Sequence, residues 1–459
     1  MELLKFNKLF HEQMGDLPDE AKRQFGRMYA AFLEGDTGKF SWDDIAPLSS
    51  DEVVERASLS PDDINLGESL MGQVAVLKLN GGLGTSMGCE GPKSLVPLSE
   101  KTTFLSLICD QIRYLRKRWQ KPIPFVLMNS FNTDRETRDF LSDSIEFLAF
   151  QQHQFPRILA VTKGPFLPKD SKHAWNPPGH GDVYWSLLTS GVLDTLLSRG
   201  IKYVFISNSD NLGPDLDPGI LGYMYRHELD FLMEMTPKTQ MDIKGGTVVR
   251  YRDRLALLER SQLEEAHLKD FEDVAQFPYF NTNNIWVRLD SLKKLLLSGD
   301  LQLPLILNPK MIEGQAIIQL ESAMGAAIGC FEKSAVMVVP RDRFLPVKHT
   351  SDLLVVQSDL ITRHENGFLS FADEAEDKAY PLVKLGPDFY SVKQYQAHVL
   401  EAPSLKGLKS LVIEGDVVIG AGVSFSGDVV IHVPEGETLK LEHTCVDSNT
   451  VLDKAHSAN

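Results

Sequence analysis

The sequence predicts an α/β protein: a doubly wound, mixed but mostly parallel sheet, preceded by a helical segment and followed by a β-helix. Three observations carry this expectation. Between residues 71 and 385 short apolar runs alternate with amphipathic stretches, the order that lays parallel strands beside crossover helices. Ahead of them Phe25, Met28, Tyr29, Phe32 and Leu33 recur at helical spacing and form one apolar stripe. Behind them Val417, Val423 and Val429 stand six apart, as do Ile419, Phe425 and Ile431, and Gly415-Asp416 recurs as Gly427-Asp428. A six-residue period with glycine turns marks a β-helix coil, with an antiparallel hairpin pair as the competing arrangement. The expected division is therefore 1–70, 71–385 and 386–459, with the last boundary near Gly386-Pro387.

Within the middle segment Val74–Leu79 reads as a strand, Phe104–Trp119 as a helix with a basic end, and Ile123–Met128 as a strand. Asp134–Leu148 reads as a helix, and Tyr203–Ser207 as a strand that meets polar residues at once. Residues 231–290 read as an insertion with hairpin character. In doubly wound sheets ligands bind beyond the carboxyl ends of strands, which places the loop at 80–93 and the segment at 208–213 at one site.

The composition narrows the partners. With 47 Lys and Arg against 63 Asp and Glu the net charge is −16, a field that repels polyanions and argues against nucleic acid. An anionic small substrate remains compatible, because local amides and a few lysines outweigh the global field at short range. Cys89, Cys109, Cys330 and Cys445 form no C-x-x-C pair, so neither a zinc site nor a disulfide framework is indicated. No apolar run approaches the ~18 residues of a membrane helix, and the charged N-terminus lacks a signal-peptide core. A soluble, cytoplasmic setting without membrane attachment is the expectation.

The most informative string is LKLNGGLGTSMGCEGPKSL, residues 77–95. A strand runs into Gly81, Gly82, Gly84, Gly88 and Gly91, and Lys93 closes the loop. Glycines let backbone N–H groups close on an anion, and the lysine neutralises what they hold. Two familiar phosphate loops do not fit. Met87 stands where a G-x-G-x-x-G fingerprint needs its third glycine, and Pro92 separates Gly91 from Lys93 where a Walker loop needs Gly-Lys adjacent.

Further polar strings follow. FISNSDNLG, 205–213, puts Asp210 just past a buried strand, where one carboxylate plus substrate phosphates suffices for Mg²⁺. PPGHGD, 177–182, sets His180 between two glycines after a stiff proline lead. FNTNNIW, 280–286, packs asparagines between aromatics, and amides both donate and accept, as sugar hydroxyls require.

The string at 77–95 closely resembles the nucleotide loop of the eukaryotic-type UTP–glucose-1-phosphate uridylyltransferases, the UDP-glucose pyrophosphorylases, and further matches extend to about residue 360. The chain departs from that pattern in a shorter N-terminal segment, a short tail and Glu90 within the loop. The resemblance implies a Rossmann-like, GT-A-like nucleotidyltransferase that joins UTP and glucose 1-phosphate into UDP-glucose, with Mg²⁺ as cofactor. It implies that Lys93 and Lys348 (in RFLPVKHTSDL) are the catalytic cations and that Asp210 carries the metal. It places the nucleotide against Leu79, Asn80, Gly81, Gly82, Lys93, Gln152, Gly179 and Asp210, with Gln151 standing beside Gln152. It places the second substrate against Gly82, His180, Asn208, Ser209 and Asn283, with KGGTVV, 244–249, near the sugar. Residues 231–290 would supply the sugar side of the cleft, and the tail is a device for homo-oligomers. Two alternatives stand beside it: a UDP-N-acetylhexosamine or broad UDP-sugar pyrophosphorylase, and an inactive nucleotide-sugar-binding scaffold.

Overall fold

The computed structural model describes residues 10, 13–99, 101–239, 242–372 and 380–447, and the backbone of 451–452. The ends of the expected first and last segments, 1–9, 11–12, 448–450 and 453–459, lie outside the described residues.

The core is an eight-stranded sheet. In chain order its strands are β1 (Val53–Glu55), β2 (Val74–Asn80), β3 (Phe125–Asn129), β4 (Leu148–Gln151), β5 (Tyr203–Asn208), β6 (Phe231–Pro237), β7 (Tyr279–Arg288) and β8 (Ser334–Val338). Across the sheet they run β1-β8-β6-β7-β5-β2-β3-β4. Every neighbouring pair is parallel except the two that β7 makes, so the expected mixed, mostly parallel sheet is observed. All seven residues of β2 are buried, the continuous pattern of a strand covered on both faces.

Helices cover both faces. On one, Leu70 ends α1 (Pro61–Leu70), Ile108 and Ile112 come from α2 (Phe104–Trp119), and Ile220 from α3 (Pro218–Arg226). On the other, Leu187, Leu193 and Leu292 come from three further helices. Helix α2 has the bounds its sequence predicts. Thr103 caps it with a reciprocal bond to Ser106, and Arg116, Lys117 and Arg118 sit at the negative end of its dipole.

The structure corrects four expectations. The helix expected over 134–148 ends at Leu141, because Ser142 and Ser144 turn their hydroxyls back onto helix carbonyls, and Leu148 opens the edge strand β4. The strand expected over Ile123–Met128 begins at Phe125 and runs to Asn129. Residues 231–290 are not an insertion throughout: their two ends are β6 and β7 at the heart of the sheet, and only Thr247–Tyr251 with Arg254–Leu258 forms a hairpin. The N-terminal segment is not helical throughout either. Asp19–Leu33 is a helix burying Phe25, Met28, Tyr29 and Phe32, but Ile45–Ala46 joins that hairpin and β1 joins the main sheet.

In the tail, the strands Leu382–Leu385, Ser404–Glu414, Ser424–His432 and Cys445–Val446 pair in parallel, which excludes the antiparallel hairpin arrangement. Val417, Ile419, Phe425, Val429 and Ile431 all point inward, as the six-residue period requires. Leu411 and Ile413 share one core with Phe104, Leu107 and Leu354, so the tail is packed onto the sheet domain. Among the described residues no helix is long and apolar enough to cross a membrane.

Candidate active site

Strands β2 and β5 lie side by side in parallel, with Leu79 opposite Asn208, so the glycine loop and the segment after β5 emerge together. The loop closes on itself. Lys93 donates its backbone N–H to Gly82 O at 3.1 Å, Gly84 donates to Gly91 O at 3.3 Å, and Leu83 bridges to Pro92. These bonds bring Lys93 back to the strand end it left. There its ammonium meets the Asp210 carboxylate at 2.7 Å, a pair still 12% and 20% exposed toward the cleft.

A cavity of about 290 Å³ opens beside this pair, lined by Leu79, Gly81, Gly82, Lys93, Gln152, Gly179, His180, Asn208, Ser209 and Asp210. Pro177, from the proline lead of PPGHGD, and Met128, which the sequence reading took only as a strand residue, complete its wall. Gln152, not Gln151, faces the cavity; the Gln151 amide instead donates to Asp134 at 3.1 Å. The Gln152 amide nitrogen lies so close over Gly81 that a Cβ there would stand 2.4 Å away. Gly81→Ala is therefore expected to push the Gln152 amide aside while the fold tolerates the methyl. Melting of the variant should be unchanged, and its crystal structure should show the Gln152 amide displaced from its place over residue 81.

The His180 loop and Gln152 are fixed to one another from below. Buried Asp182 accepts from the His153 backbone N–H at 2.7 Å and pairs with His153 Nδ1 at 2.8 Å. His180 Nδ1 accepts the backbone N–H of Met324 at 3.0 Å. A backbone N–H only donates, so the neutral ring carries its proton on Nε2. Burial pulls the His180 pKa down to about 4, so the ring stays uncharged through the physiological range. The sign follows by linkage. A base whose folded pKa is depressed supplies stability that is complete above the unfolded value, ~6.5, and is lost as pH falls through that value toward the folded one. NMR titration of the ring is expected to show no protonation between pH 7 and 5.

Three expected site residues lie outside the cavity wall. Asn80 turns into the protein, its amide donating to Asn129 Oδ1 at 2.8 Å and Thr137 Oγ1 at 2.9 Å, so it braces the loop. Lys348 is exposed at the rim, its backbone tied to Asp352 Oδ2 at 2.7 Å and to Ser86 Oγ at 3.0 Å. The preceding Val347 N–H binds Asp210 O at 2.9 Å, which sets this segment beside the Lys93–Asp210 pair. Asn283 sits at φ +57° in a bulge where β6 and β7 slip register, and it exchanges bonds of 2.9 Å with Asn281.

One group was not read from the sequence. Glu259 is a buried carboxyl packed against Gly246 of the KGG turn. Burial raises its pKa to about 7, opposed by the charge of Lys348. In the sequence Glu259 is one acid among many; it caps the short turn Arg260–Gln262, and a cap is all its spacing suggests.

The frame beneath Asp210 is ionic. Arg343 forks onto fully buried Glu234 at 2.6 and 2.9 Å, and Glu234 also accepts from Trp286 at 2.9 Å and Asn284 at 3.1 Å. Asn211, fully buried, accepts Leu345 N–H at 2.9 Å, so the 343–348 segment is held from its root. Lys78, on β2, is 2% exposed, and burial brings its pKa down to about 8 against the pull of Asp215, Asp210 and Glu234.

Among the described residues no cluster of three His, Cys, Asp or Glu side chains converges on a point. A single cleft-facing carboxylate, Asp210, fits a hard cation that takes its other ligands from phosphate oxygens and water.

A family model described as UTP–glucose-1-phosphate uridylyltransferase matches residues 22–426. A UTP–glucose-1-phosphate uridylyltransferase of Hordeum vulgare is 42% identical over 448 residues, 95% of this chain and 94% of that protein. That of Solanum tuberosum is 39% identical over 444 residues, 95% of this chain and 93% of that protein. A crystal structure of a Leishmania major UDP-glucose pyrophosphorylase variant in complex with UDP-glucose superposes with a TM-score of 0.90 at 32% identity, covering 97% of this chain and 99% of the other. A Trypanosoma brucei structure gives a TM-score of 0.87 at 35% identity, covering 98% of each chain.

Proposed function

The chain belongs to the UTP–glucose-1-phosphate uridylyltransferase family, and from that premise we propose that it converts UTP and glucose 1-phosphate into UDP-glucose and pyrophosphate. The observation that carries this reading is the Lys93–Asp210 pair standing over the Gly81–Gly82 backbone in one cavity with Gln152 and His180.

The reaction needs no protein nucleophile. An oxygen of the sugar phosphate forms a bond to the α-phosphorus of UTP, and the bond from that phosphorus to the bridging oxygen breaks. Pyrophosphate leaves with the electron pair. Catalysis then reduces to alignment and neutralisation of charge. Gln152 suits the uracil edge, because an amide offers a donor and an acceptor together. The Gly81 and Gly82 backbone, Leu79 and Gly179 bound the nucleoside. The Nε2–H of neutral His180 donates to a phosphate or sugar oxygen. Asn208 and Ser209 stand where the ribose or the sugar phosphate passes.

Lys93 neutralises charge on the leaving pyrophosphate. Asp210 would hold Mg²⁺, which when bound shields the phosphates from one another. Lys93 holds that same carboxylate in the protein without substrate, so its ammonium would be released toward the phosphates if a cation took its place at Asp210. Asn283, Glu259 and the KGG turn bound the sugar side. Lys348 supplies the second cation from the rim. Its replacement by alanine is expected to lower kcat/KM for the sugar phosphate roughly 10- to 100-fold, within the ~1.5–3 kcal/mol of a charge-assisted hydrogen bond. Initial rates at varied glucose 1-phosphate measure it.

The parallel ladders of the tail and its inward six-residue period support the β-helix reading, and because Leu382–Leu385 already pairs in that run, they support a boundary just before residue 382 rather than near 386. One assay tests the function: UTP, Mg²⁺ and a panel of sugar 1-phosphates, with pyrophosphate release followed. Release with glucose 1-phosphate above the other sugars supports the proposal. Preference for an N-acetylhexosamine phosphate, or no release with any sugar, overturns it.

A further inference from the structure

His153 has no place in the cavity wall, yet it ties two segments of that wall together. The first is Gln152, which follows the last residue of β4, so the sheet ladder no longer fixes its backbone. Its N–H donates to Asn129 O at 2.8 Å, and the next hold on the chain is His153. There one fully buried carboxylate, Asp182, accepts twice, from the His153 backbone N–H at 2.7 Å and from Nδ1 at 2.8 Å. A carboxylate only accepts, so Nδ1 carries a proton. Thr189 Oγ1 meets the other ring nitrogen, Nε2, at 2.8 Å. Asp182 precedes the helix Val183–Thr189 and Thr189 ends it, so the imidazole is held along one helix face.

The second segment is the His180 loop, which Asp182 closes. Three residues before Asp182, Gly179 lines the cavity at φ +79°. Ser322 pins this loop independently, donating its N–H to Pro178 O and accepting from Gly181 N–H, both at 2.9 Å. The loop is thus fastened at two places, and the fork from His153 is the one that reaches Gln152.

Base choice gives this tie a purpose. The edge of uracil sets an imide N–H beside a carbonyl, whereas cytosine sets an acceptor nitrogen beside an amino group. An amide side chain turned over serves either edge, so Gln152 by itself does not choose between them. A backbone group cannot turn over. Gly179 offers only backbone groups, and it rejects the wrong base only while its distance from Gln152 is fixed.

We propose that His153 is a positioning residue for base selection: its Nδ1–H on Asp182 holds Gln152 and Gly179 in register, so that the site takes a uracil nucleotide and refuses a cytosine one. That role rests on the uridylyltransferase reading of the cavity.

The test compares UDP-glucose with CDP-glucose by calorimetry on the full chain, with melting recorded beside it. The native chain is expected to prefer UDP-glucose by roughly a hundredfold or more. His153→Asn places an amide donor where Nδ1 stands, toward Asp182. His153→Gln carries its donor further out, toward Thr189, and leaves Asp182 without it. The asparagine variant should keep the preference within about threefold of native, and the glutamine variant should lose roughly tenfold of it, the scale of one charge-assisted hydrogen bond. Packing alone predicts the reverse order, because glutamine is nearer histidine in size. A native preference in His153→Gln, or an equal loss in both variants, would overturn the proposal. If the native chain itself does not prefer UDP-glucose, the uridine reading of the cavity fails first and takes the proposal with it. Should His153→Gln not fold, His153→Ala against His153→Asn makes the same comparison, since only asparagine restores a donor toward Asp182; equal preferences in those two would sink the role of His153.

Discussion

Replacing Lys93 by alanine is expected to lower turnover by roughly two to three orders of magnitude, the range seen when one group that stabilises transition-state charge is removed. Folding should change little, because the lysine lies in a loop and its only described ion pair, with Asp210, remains open to the cleft. A second consequence separates this from mere damage. In the protein without substrate Lys93 occupies the carboxylate assigned to the metal, at 2.7 Å, so its removal frees Asp210. Mg²⁺ should then bind the substrate-free variant more tightly than it binds the native chain, even as catalysis fails. Isothermal calorimetry with Mg²⁺ alone, beside stopped-flow measurement of pyrophosphate release, reads both arms. Native turnover in the variant would remove Lys93 from the mechanism, and unchanged metal affinity would remove the competition.

The second large effect concerns the frame. Arg343→Met leaves Glu234 fully buried without its ionic partner, and breaking one side of such a pair costs about 3–5 kcal/mol. The loss should reach the site as well as the fold. Arg343 O accepts from Asn284 at 3.1 Å, and the 344–348 segment behind it holds the Asp210 backbone through Val347. Denaturant unfolding should show the midpoint falling with an unchanged slope. Adding Glu234→Met to Arg343→Met removes the stranded carboxylate and is expected to recover most of that stability, since apolar replacement of a whole buried pair is often neutral. If the single variant matched the native midpoint, the pair would not be the anchor described here.

How far the sequence could be read depended on whether a feature is written in one continuous string. The glycine loop, the DNLG segment and the PPGHGD turn each carry their constraint locally, in glycines and a proline lead, and ten of the expected residues line one cavity. Asn80 belongs to the same string, yet it turns inward to Asn129 and Thr137, because on a strand the facing direction is fixed by register. Glu259 went unread because a carboxylate that only caps a turn and one withdrawn from water look alike until burial distinguishes them. The segments 134–148 and 231–290 were misjudged for a related reason. Leu148–Gln151 and Phe231–Pro237 are strands by virtue of partners far along the chain, and strand propensity is mostly such context.

The sequence by itself determined the alternation of strand and helix, the glycine loop closed by a lysine, the period of the tail and the family to which the chain belongs. Those are properties of neighbours along the chain, set by backbone freedom and apolar spacing. Tertiary structure alone decided that Lys93 meets Asp210 across 117 residues and that Arg343 reaches Glu234 across 109. Such meetings follow from how strands are ordered in a sheet and from which groups are withdrawn from water, and no local spacing encodes either.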